Sequence, residues 1–432
     1  AQQKGYTVTG SDEHVYPPMS TQLTEQGIKL ISGFDPKQLD PAPNCVVVGN
    51  VMKRGLPIIE TVLNNKLSFT SGPQWLGEHI LSSRRVFAVA GTHGKTTTTS
   101  ILTWIFEFAQ KKPGYLIGGV PNNFGLSAAL GDSPYFVIEA DEYDTAFFDK
   151  RSKFIHYYPE CVILNNLEYD HADIFKDLEA IQTQFHHLVR TIPSKGLILY
   201  NAEDTAIQAV LKKGCWTPTQ SFSMRQGDWT SMNENSDGSA FDVCFQGKNL
   251  GRVQWSLLGE HNIHNALGAI AAAHYAGIEV SVAIKALAQF TGIKRRLEVR
   301  GQINGVTIYD DFAHHPTAIE TTLNGLRRKV GQESIFAVLE CASNTMRDGV
   351  HKANLVHSLN QANSVYLLRP QPDWGIESLL SQFTQPVFLY DTIDDIVSNL
   401  TKQAKPNEHI LIMSNKSFGG IHDKLLKALK EK

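Results

Sequence analysis

The stretch Gly91-Thr92-His93-Gly94-Lys95-Thr96-Thr97 carries the strongest chemistry in the chain. Glycines let backbone N–H groups come close to phosphate oxygens, and a helix starting there turns its positive end toward them. Lys95 neutralises phosphate charge, and the Thr96 hydroxyl is of the kind that holds Mg²⁺. The match to the strict phosphate-loop pattern is incomplete, because Val89 stands where its first glycine falls. Glu139-Ala140-Asp141-Glu142-Tyr143-Asp144 follows an apolar run. An acid at the carboxyl end of a parallel strand faces the crevice where ligands bind, and beside a phosphate loop it commonly serves Mg²⁺. His171, within LEYDHAD, follows another apolar run. A lone histidine more often has a structural role, so His171 gains weight only in company with the loop and the acid. Charge neutralisation and positioning of phosphate are what this set can do, and neither needs a covalent nucleophile.

Such residues must be held at one edge of a sheet, and the flanking sequence predicts one. Val86–Ala90 reads as a buried strand, Thr97–Phe108 as a helix, and Tyr135–Ile138, Cys161–Leu164 and Leu197–Tyr200 as further strands. Strands alternating with helices imply a parallel sheet covered on both faces. Residues 215–258 read as an antiparallel insertion with strands at Ala240–Phe245 and Val253–Leu258, and Asn265–Ala276 is an alanine-rich helix. Before this unit, residues 1–4 end a helix, Tyr6–Thr9 forms a short strand followed by Gly10-Ser11-Asp12, and a helix runs to Gly27. Cys45–Val48 is a buried strand of the same small α/β unit, whose first strand is expected to be missing. After it, from near Glu298, strands are predicted at Val306–Tyr309, Ile335–Leu339, Val365–Leu368, Val387–Tyr390 and Ile410–Met413. Helices fall at Thr317–Lys329, Asp394–Leu400 and Ile421–Lys432. The division expected is therefore 1–83, 84–297 and 298–432.

Composition agrees with several globular cores. The 432 residues suggest about three domains at ~150 residues each. Forty Lys+Arg against 43 Asp+Glu leave a net charge of -3, which excludes a broadly basic nucleic-acid binder. No run approaches the ~18 apolar residues of a membrane span, and AQQKGYTVTG has no apolar leader core. The five cysteines are scattered without a CxxC pair, which argues against zinc sites and disulfides and for a reducing cytoplasm.

Taken in order, GTHGKTTT, IEADEYD, NNLEYDHAD, GEHNIHNALGAIAAA, GIKRRLE and YDDFAHHPTAI resemble the blocks of the Mur ligases, ATP-dependent amide-forming enzymes of the bacterial cell wall. The resemblance implies an α/β, three-domain architecture. Rossmann-like N- and C-terminal domains, the first binding a UDP-sugar, would flank a central phosphate-loop ATPase domain. Carried over by position, Gly91 to Thr97 would cradle ATP, with Lys95 on its phosphates and Thr96 on a Mg²⁺. Glu139 and His171 would hold a second Mg²⁺, for which Mn²⁺ can substitute. His261, Asn262 and Asn265 fall in the block that contacts the adenine nucleotide. Arg296 and Asp311 match ATP-site residues, Asp311 on the ribose, with His314 and His315 beside it.

VTGSDEHVYPPMS, SGPQWL, EADEYDTAFFDKRSKF, DHADIF, SNTM and FGGIH look closer to one branch of that family. It joins UDP-N-acetylmuramate to the tripeptide L-Ala-γ-D-Glu-meso-diaminopimelate in peptidoglycan recycling. The alternative is the branch that adds L-alanine in de novo synthesis. The implied partners are these small-molecule substrates, with neither nucleic acid nor membrane. Two departures from the family pattern stand out. The Gly-rich loop that approaches the UDP pyrophosphate is expected to be missing, which leaves Ser11 and Asp12 as the nameable UDP contacts. Relatives also often carry Pro-Arg where Cys341-Ala342 stands, just before the peptide candidates Ser343, Asn344 and Thr345.

Overall fold

Runs such as Val-Phe-Ala-Val-Ala and Val-Ile-Leu are apolar on both faces, so they belong in the middle of sheets covered twice. The computed structural model describes residues 1–13 and 19–432, and only the backbone of residues 19, 22, 344 and 345. It divides into one unit of Ala1–Arg84 with Asp141–Tyr158 and another of Arg85–Ala140 with Pro159–Lys432.

In the first unit, Thr9–Asp12 pairs in parallel with Lys29–Ser32, and Val46–Val48 with Phe69–Ser71. Val48, Ile58 and Ile59 are its buried centre, with Phe69 and Phe147 packed against them. The segment Asp141–Tyr158 brings a hairpin, Asp144–Ala146 with Asp149–Ser152. Gly77 is needed in this unit because a Cβ there would lie 2.1 Å from the His156 carbonyl oxygen. The strand expected at Tyr6–Thr9 is instead Thr9–Asp12, so Ser11 and Asp12 lie within a strand rather than after one. Pairing with Lys29–Ser32, not the apolar pattern around Val8, sets its register.

The second unit holds a ten-stranded sheet. Its centre is β1 (Arg85–Ala90), β2 (Tyr135–Glu139), β3 (Pro159–Leu164) and β4 (Leu197–Asn201), in the spatial order β4-β3-β1-β2 and all parallel. Helix α1 (Lys95–Phe108) follows β1, and α2 (Glu260–Tyr275) packs beside it. Phe87, Val89, Ile101, Ile105 and Phe106 are 0–1 % exposed. Burying each such side chain contributes about 1.5–3 kcal/mol relative to leaving it in water. The alanines of α2 allow close approach to the sheet, where a Cβ on Gly268 would already meet Ile163 at 3.1 Å. The polar stretch after β4 is not a separate insertion. Thr219–Phe222 and Trp229–Met232 extend the same sheet, and Ala240–Phe245 and Lys248–Gln254 finish it antiparallel. The last strand ends at Gln254, not Leu258, because Trp255 turns in and donates its indole N–H to Gly238 O.

A six-stranded sheet follows, ordered Glu298–Ile303, β5 (Val306–Asp311), Val387–Tyr390 lying at the far edge, with three strands between. After β5 comes α3 (Pro316–Val330), and the three inner strands are β6 (Ile335–Glu340), β7 (Ser364–Leu368) and β8 (His409–Met413), packed in the order β5-β8-β6-β7. Only the Glu298–Ile303 edge runs antiparallel. That edge strand and the 144–152 hairpin carry too little apolar alternation to be seen in the sequence.

Candidate active site

Register brings the phosphate-loop residues and the acid together. Val89 of β1 lies opposite Glu139 of β2, and Ala90 opposite Leu164 of β3. The loop leaving β1 and the last residue of β2 therefore share one carboxyl edge. Gly94 has φ 78° and no room for a side chain, since a Cβ would sit 2.5 Å from Asn265 Oδ1. Helix α1 starts directly after it, at Lys95 rather than Thr97, leaving the first N–H groups directed at the loop. Its run of threonines is tolerated because Thr99, Ser100 and Thr103 hydroxyls donate to carbonyls one turn back.

Around that edge the polar groups converge. Thr96 Oγ1 donates to Glu139 Oε1 at 3.0 Å, and Gly118 N–H donates to Glu139 Oε2 at 2.7 Å. Arg296 Nη2 donates to Thr96 Oγ1 at 3.3 Å and stacks its guanidinium 5.0 Å from the Phe312 ring centre. Lys95 Nζ donates to Gly91 O at 2.6 Å. Burial raises the Glu139 carboxyl above the ordinary carboxylate range, against the pull of Gly118 N–H and the Lys95 charge. Gly118 and Gly119 make this closeness possible, since a Cβ would fall 2.9 Å from Glu139 Oε2 and 2.8 Å from Thr96 Cγ2 respectively. A hydroxyl and a carboxylate this close are hard oxygen donors suited to Mg²⁺.

His171 lies on the loop after β3 in a left-handed backbone, φ 56°. Its N–H is held by Asp170 Oδ1 at 2.7 Å. Burial raises Asp170, but the His171 charge and backbone N–H outweigh it and hold the carboxyl down at about 2.

The α2 residues are engaged with the loop. Asn265 Oδ1 accepts from Thr98 Oγ1 at 3.0 Å, while its amide donates to Asn262 Oδ1 at 3.1 Å. Asn262 Nδ2 donates to Leu258 O, and burial pushes the His261 imidazole down to about 4. Asp311 accepts from Leu297 N–H at 2.6 Å and Ala313 N–H at 2.7 Å, which ties the arginine turn to the end of β5. His314 Nδ1 lies 2.9 Å from Phe312 O, and burial lowers its pKa to about 4. His315 caps α3, with Thr317 N–H donating to its Nδ1 at 3.3 Å. His93 and His315 rings lie 4.7 Å apart, and Glu168 sits against both. The His351 ring stands 4.4 Å from that of His315, and neither Glu168 nor His351 is among the residues the sequence marks for a role. Glu168 is three residues before His171 in the same loop, and that adjacency was the available signal.

At the other sheet, a cavity of about 280 Å³ opens at the carboxyl ends of β6, β7 and β8, lined by Glu340, Cys341, Ala342, Arg347, Arg369 and Lys416 among others. Arg369 is committed to Asp373, Glu377 and Asp391. Arg347 Nε donates to Gln371 O, and Glu340 Oε2 accepts from Ser414 Oγ. Cys341 and Ala342 are 3 % and 6 % exposed, and burial pushes the Cys341 thiol up to about 12. Ser343 Oγ accepts from Met346 N–H, whereas the Asn344 and Thr345 side chains lie outside the described residues. Ser11 and Asp12 belong to the first unit.

Three family profiles match the chain: "Mur ligase family, catalytic domain" over residues 1–84, "Mur ligase middle domain" over 89–273 and "Mur ligase, glutamate ligase domain" over 295–416. The UDP-N-acetylmuramate–L-alanyl-γ-D-glutamyl-meso-2,6-diaminoheptandioate ligase of Haemophilus influenzae is 54 % identical, covering 100 % of this chain and 96 % of that protein. A UDP-N-acetylmuramate–L-alanine ligase from Salinibacter ruber is 32 % identical, covering 78 % of this chain and 70 % of that one. Among solved structures, the murein peptide ligase from Psychrobacter arcticus matches with a TM-score of 0.76 and 45 % identity, covering 100 % of this chain and 95 % of that one.

Proposed function

The chain belongs to the Mur ligase family, and from that premise we propose that it joins UDP-N-acetylmuramate to L-Ala-γ-D-Glu-meso-diaminopimelate at the expense of ATP, releasing ADP and phosphate. Full-length identity of 54 % to a tripeptide ligase, against 32 % over part of the chain for an L-alanine ligase, carries the choice of amine. The geometry that supports the chemistry is the relay at the sheet edge in which Arg296 donates to Thr96 and Thr96 donates to Glu139.

A carboxylate is a poor electrophile. Transfer of the ATP γ-phosphoryl group to it gives an acylphosphate, the alanyl amine attacks that carbonyl, and phosphate leaves from the tetrahedral adduct. The α1 N–H groups and Lys95 bind the phosphates, and Arg296 offsets charge that builds on the transferring group. Thr96 would hold one Mg²⁺, and Glu139 with His171 a second; when bound, the ions would supply neutralisation of phosphate charge. Asn262 and Asn265 act by holding the loop and α1, and His261 lies in that same nucleotide-side block. Asp311 contacts the ribose while keeping the arginine turn in place, with His314 and His315 beside it. Ser11 and Asp12 belong to the UDP-sugar side. The cavity beside Glu340 takes the distal part of the peptide, and Ser343, Asn344 and Thr345, next in sequence after its lining residues Cys341 and Ala342, are further peptide-binding candidates. These roles divide the chain at 1–83, 84–297 and 298–432, and the reaction belongs to peptidoglycan recycling in the cytoplasm.

The test supplies ATP, Mg²⁺ and UDP-N-acetylmuramate with either tripeptide or free L-alanine and follows phosphate and the UDP-product. The expected kcat/KM is far higher for the tripeptide, because its remote carboxylates and amine help orient the same alanyl nitrogen. A higher value for L-alanine would overturn the reading.

A further inference from the structure

Beside the phosphate loop, three side chains form a cluster to which the ligase chemistry above gives no step of its own. His93, Glu168 and His315 each offer one ligand atom, and those atoms all lie within 4.8 Å of one another. They come from three places: the phosphate loop, the loop after β3, and the residue that caps α3. His93 Nε2 is 3.3 Å from Glu168 Oε2, and His315 Nδ1 is 3.7 Å from the same oxygen. Around a tetrahedral ion with bonds of ~2.0–2.1 Å, ligand atoms stand ~3.3–3.4 Å apart, so a small contraction turns this cluster into a coordination shell.

The protons point the same way. His315 Nδ1 accepts from Thr317 N–H, so the proton of the neutral ring sits on Nε2 and the one lone pair of Nδ1 takes only that long bond. Glu168 Oε2 stands 3.7 Å from the same nitrogen, an acceptor near an acceptor with no proton between them. His315 Nε2 is buried without a hydrogen-bond partner among the described residues, and the side chain is 8 % exposed. Two acceptors 3.7 Å apart in a partly buried site are an electrostatic mismatch. A cation between Nδ1 and Oε2 removes it. Glu168 keeps further lone pairs for the Thr317 hydroxyl, which donates to it at 2.8 Å. Among the described residues, the long Thr317 N–H bond is the one hydrogen bond to Nδ1 that would be given up, and His93 would carry its proton on Nδ1.

We propose that His93, Glu168 and His315 bind one Zn²⁺-class cation, separate from the Mg²⁺ held with the nucleotide. Two imidazoles and one carboxylate suit Zn²⁺ or Co²⁺, whereas Mg²⁺ prefers an all-oxygen octahedral shell. The fourth position is left for water. Bound there, the ion ties the phosphate loop and the loop after β3 to the start of α3, and so links the two sheets of the second unit.

Full-length protein, stripped with chelator and assayed without nucleotide, tests this. The expected result is one Co²⁺ per chain with the intense visible absorption of a four-coordinate ion and no thiolate band, displaced by one equivalent of Zn²⁺. Thermal unfolding should shift upward by several degrees with Zn²⁺, since only the folded chain has the site. Glu168→Gln and His93→Ala should each weaken Zn²⁺ binding at least tenfold, at or beyond the size of loss seen when even an outer-shell partner is removed. His171→Ala should leave it unchanged. If one of the first two variants fails to fold, by circular dichroism, the other decides. Wild-type affinity in either folded variant, loss of binding in His171→Ala, or a six-coordinate Co²⁺ spectrum would overturn the proposal.

Discussion

The two sheets of the second unit present the carboxyl ends of their parallel strands to chemistry, and they do so differently. At the edge of β1 and β2 almost every polar group is already committed: Thr96 to Glu139, Glu139 to Gly118, Arg296 to Thr96, Asn265 to Thr98. At the edge of β6, β7 and β8 the groups surround a cavity of about 280 Å³, and the Lys416 side chain has no hydrogen-bond or ion-pair partner among the described residues. The first edge is organised before any ligand arrives, which suits charge stabilisation of a reaction shared by a whole family. The second leaves room for a ligand to supply the missing partners, which suits selection of one amine over another. Removing a group from the first should therefore cost turnover, and removing one from the second should cost discrimination.

Lys95→Ala should show the largest effect. The half-buried side chain stands at a strand-to-helix turn and donates to Gly91 O four residues back, so its loss should lower the melting temperature only modestly, while turnover should fall by about 10²–10³ or more, as when a charge donor to a transition state is lost. Phosphate release measured with both substrates saturating checks this. A folded variant with unimpaired kcat would break the contrast at its stronger end.

Lys416→Ala and Arg347→Ala should act on the other term. For the tripeptide, KM should rise roughly tenfold per substitution, about the 1.4 kcal/mol of one exposed charge-assisted contact, with kcat less affected. For free L-alanine, which cannot reach that cavity, kcat/KM should stay as it is. Equal losses for both amines would show that the cavity positions the domain rather than reading the peptide.

How much of this was legible follows the same division. The phosphate loop is local, seven consecutive residues between a buried strand and a helix, and strand, turn and helix all appear within a few residues of where the pattern puts them. Glu139 is legible for the same reason, as the polar end of an apolar strand. The cavity is not, because Glu340, Arg369 and Lys416 meet only through the strand order β8-β6-β7, which no local pattern encodes. Glu168 was overlooked because its partners, His93 and Thr317, are 75 and 149 residues away. The strand at Glu298–Ile303 escaped notice because its Glu, Arg, Gly and Gln positions give an exposed edge no apolar face. The joining of 141–158 to the first unit was invisible for a similar reason, since EYDTAFFDKRSKF shows no break from the strand before it.

The smallest expected effect is on acid stability, and it too separates the two edges. His261 and His314, both at the first edge, are pushed by burial down to about 4, while the lining of the second cavity contains no histidine. An unfolded histidine titrates near 6.5. Between pH ~6.5 and ~4 the unfolded chain therefore binds protons that the folded His261 and His314 do not, and stability falls as pH falls across that window. Above ~6.5 both states are neutral there and the contribution is flat. His261→Gln removes one of these groups without adding a charge. Its melting temperature should thus decline less steeply than wild type from pH 6.5 to 4 and run parallel to it above 7. Arg347→Ala should leave the slope unchanged, because the hydrogen bond it removes goes to the Gln371 carbonyl oxygen, which does not titrate. Melting curves across the window measure both, and a wild-type slope in His261→Gln would mean that the acid sensitivity arises elsewhere than at the phosphate-loop edge.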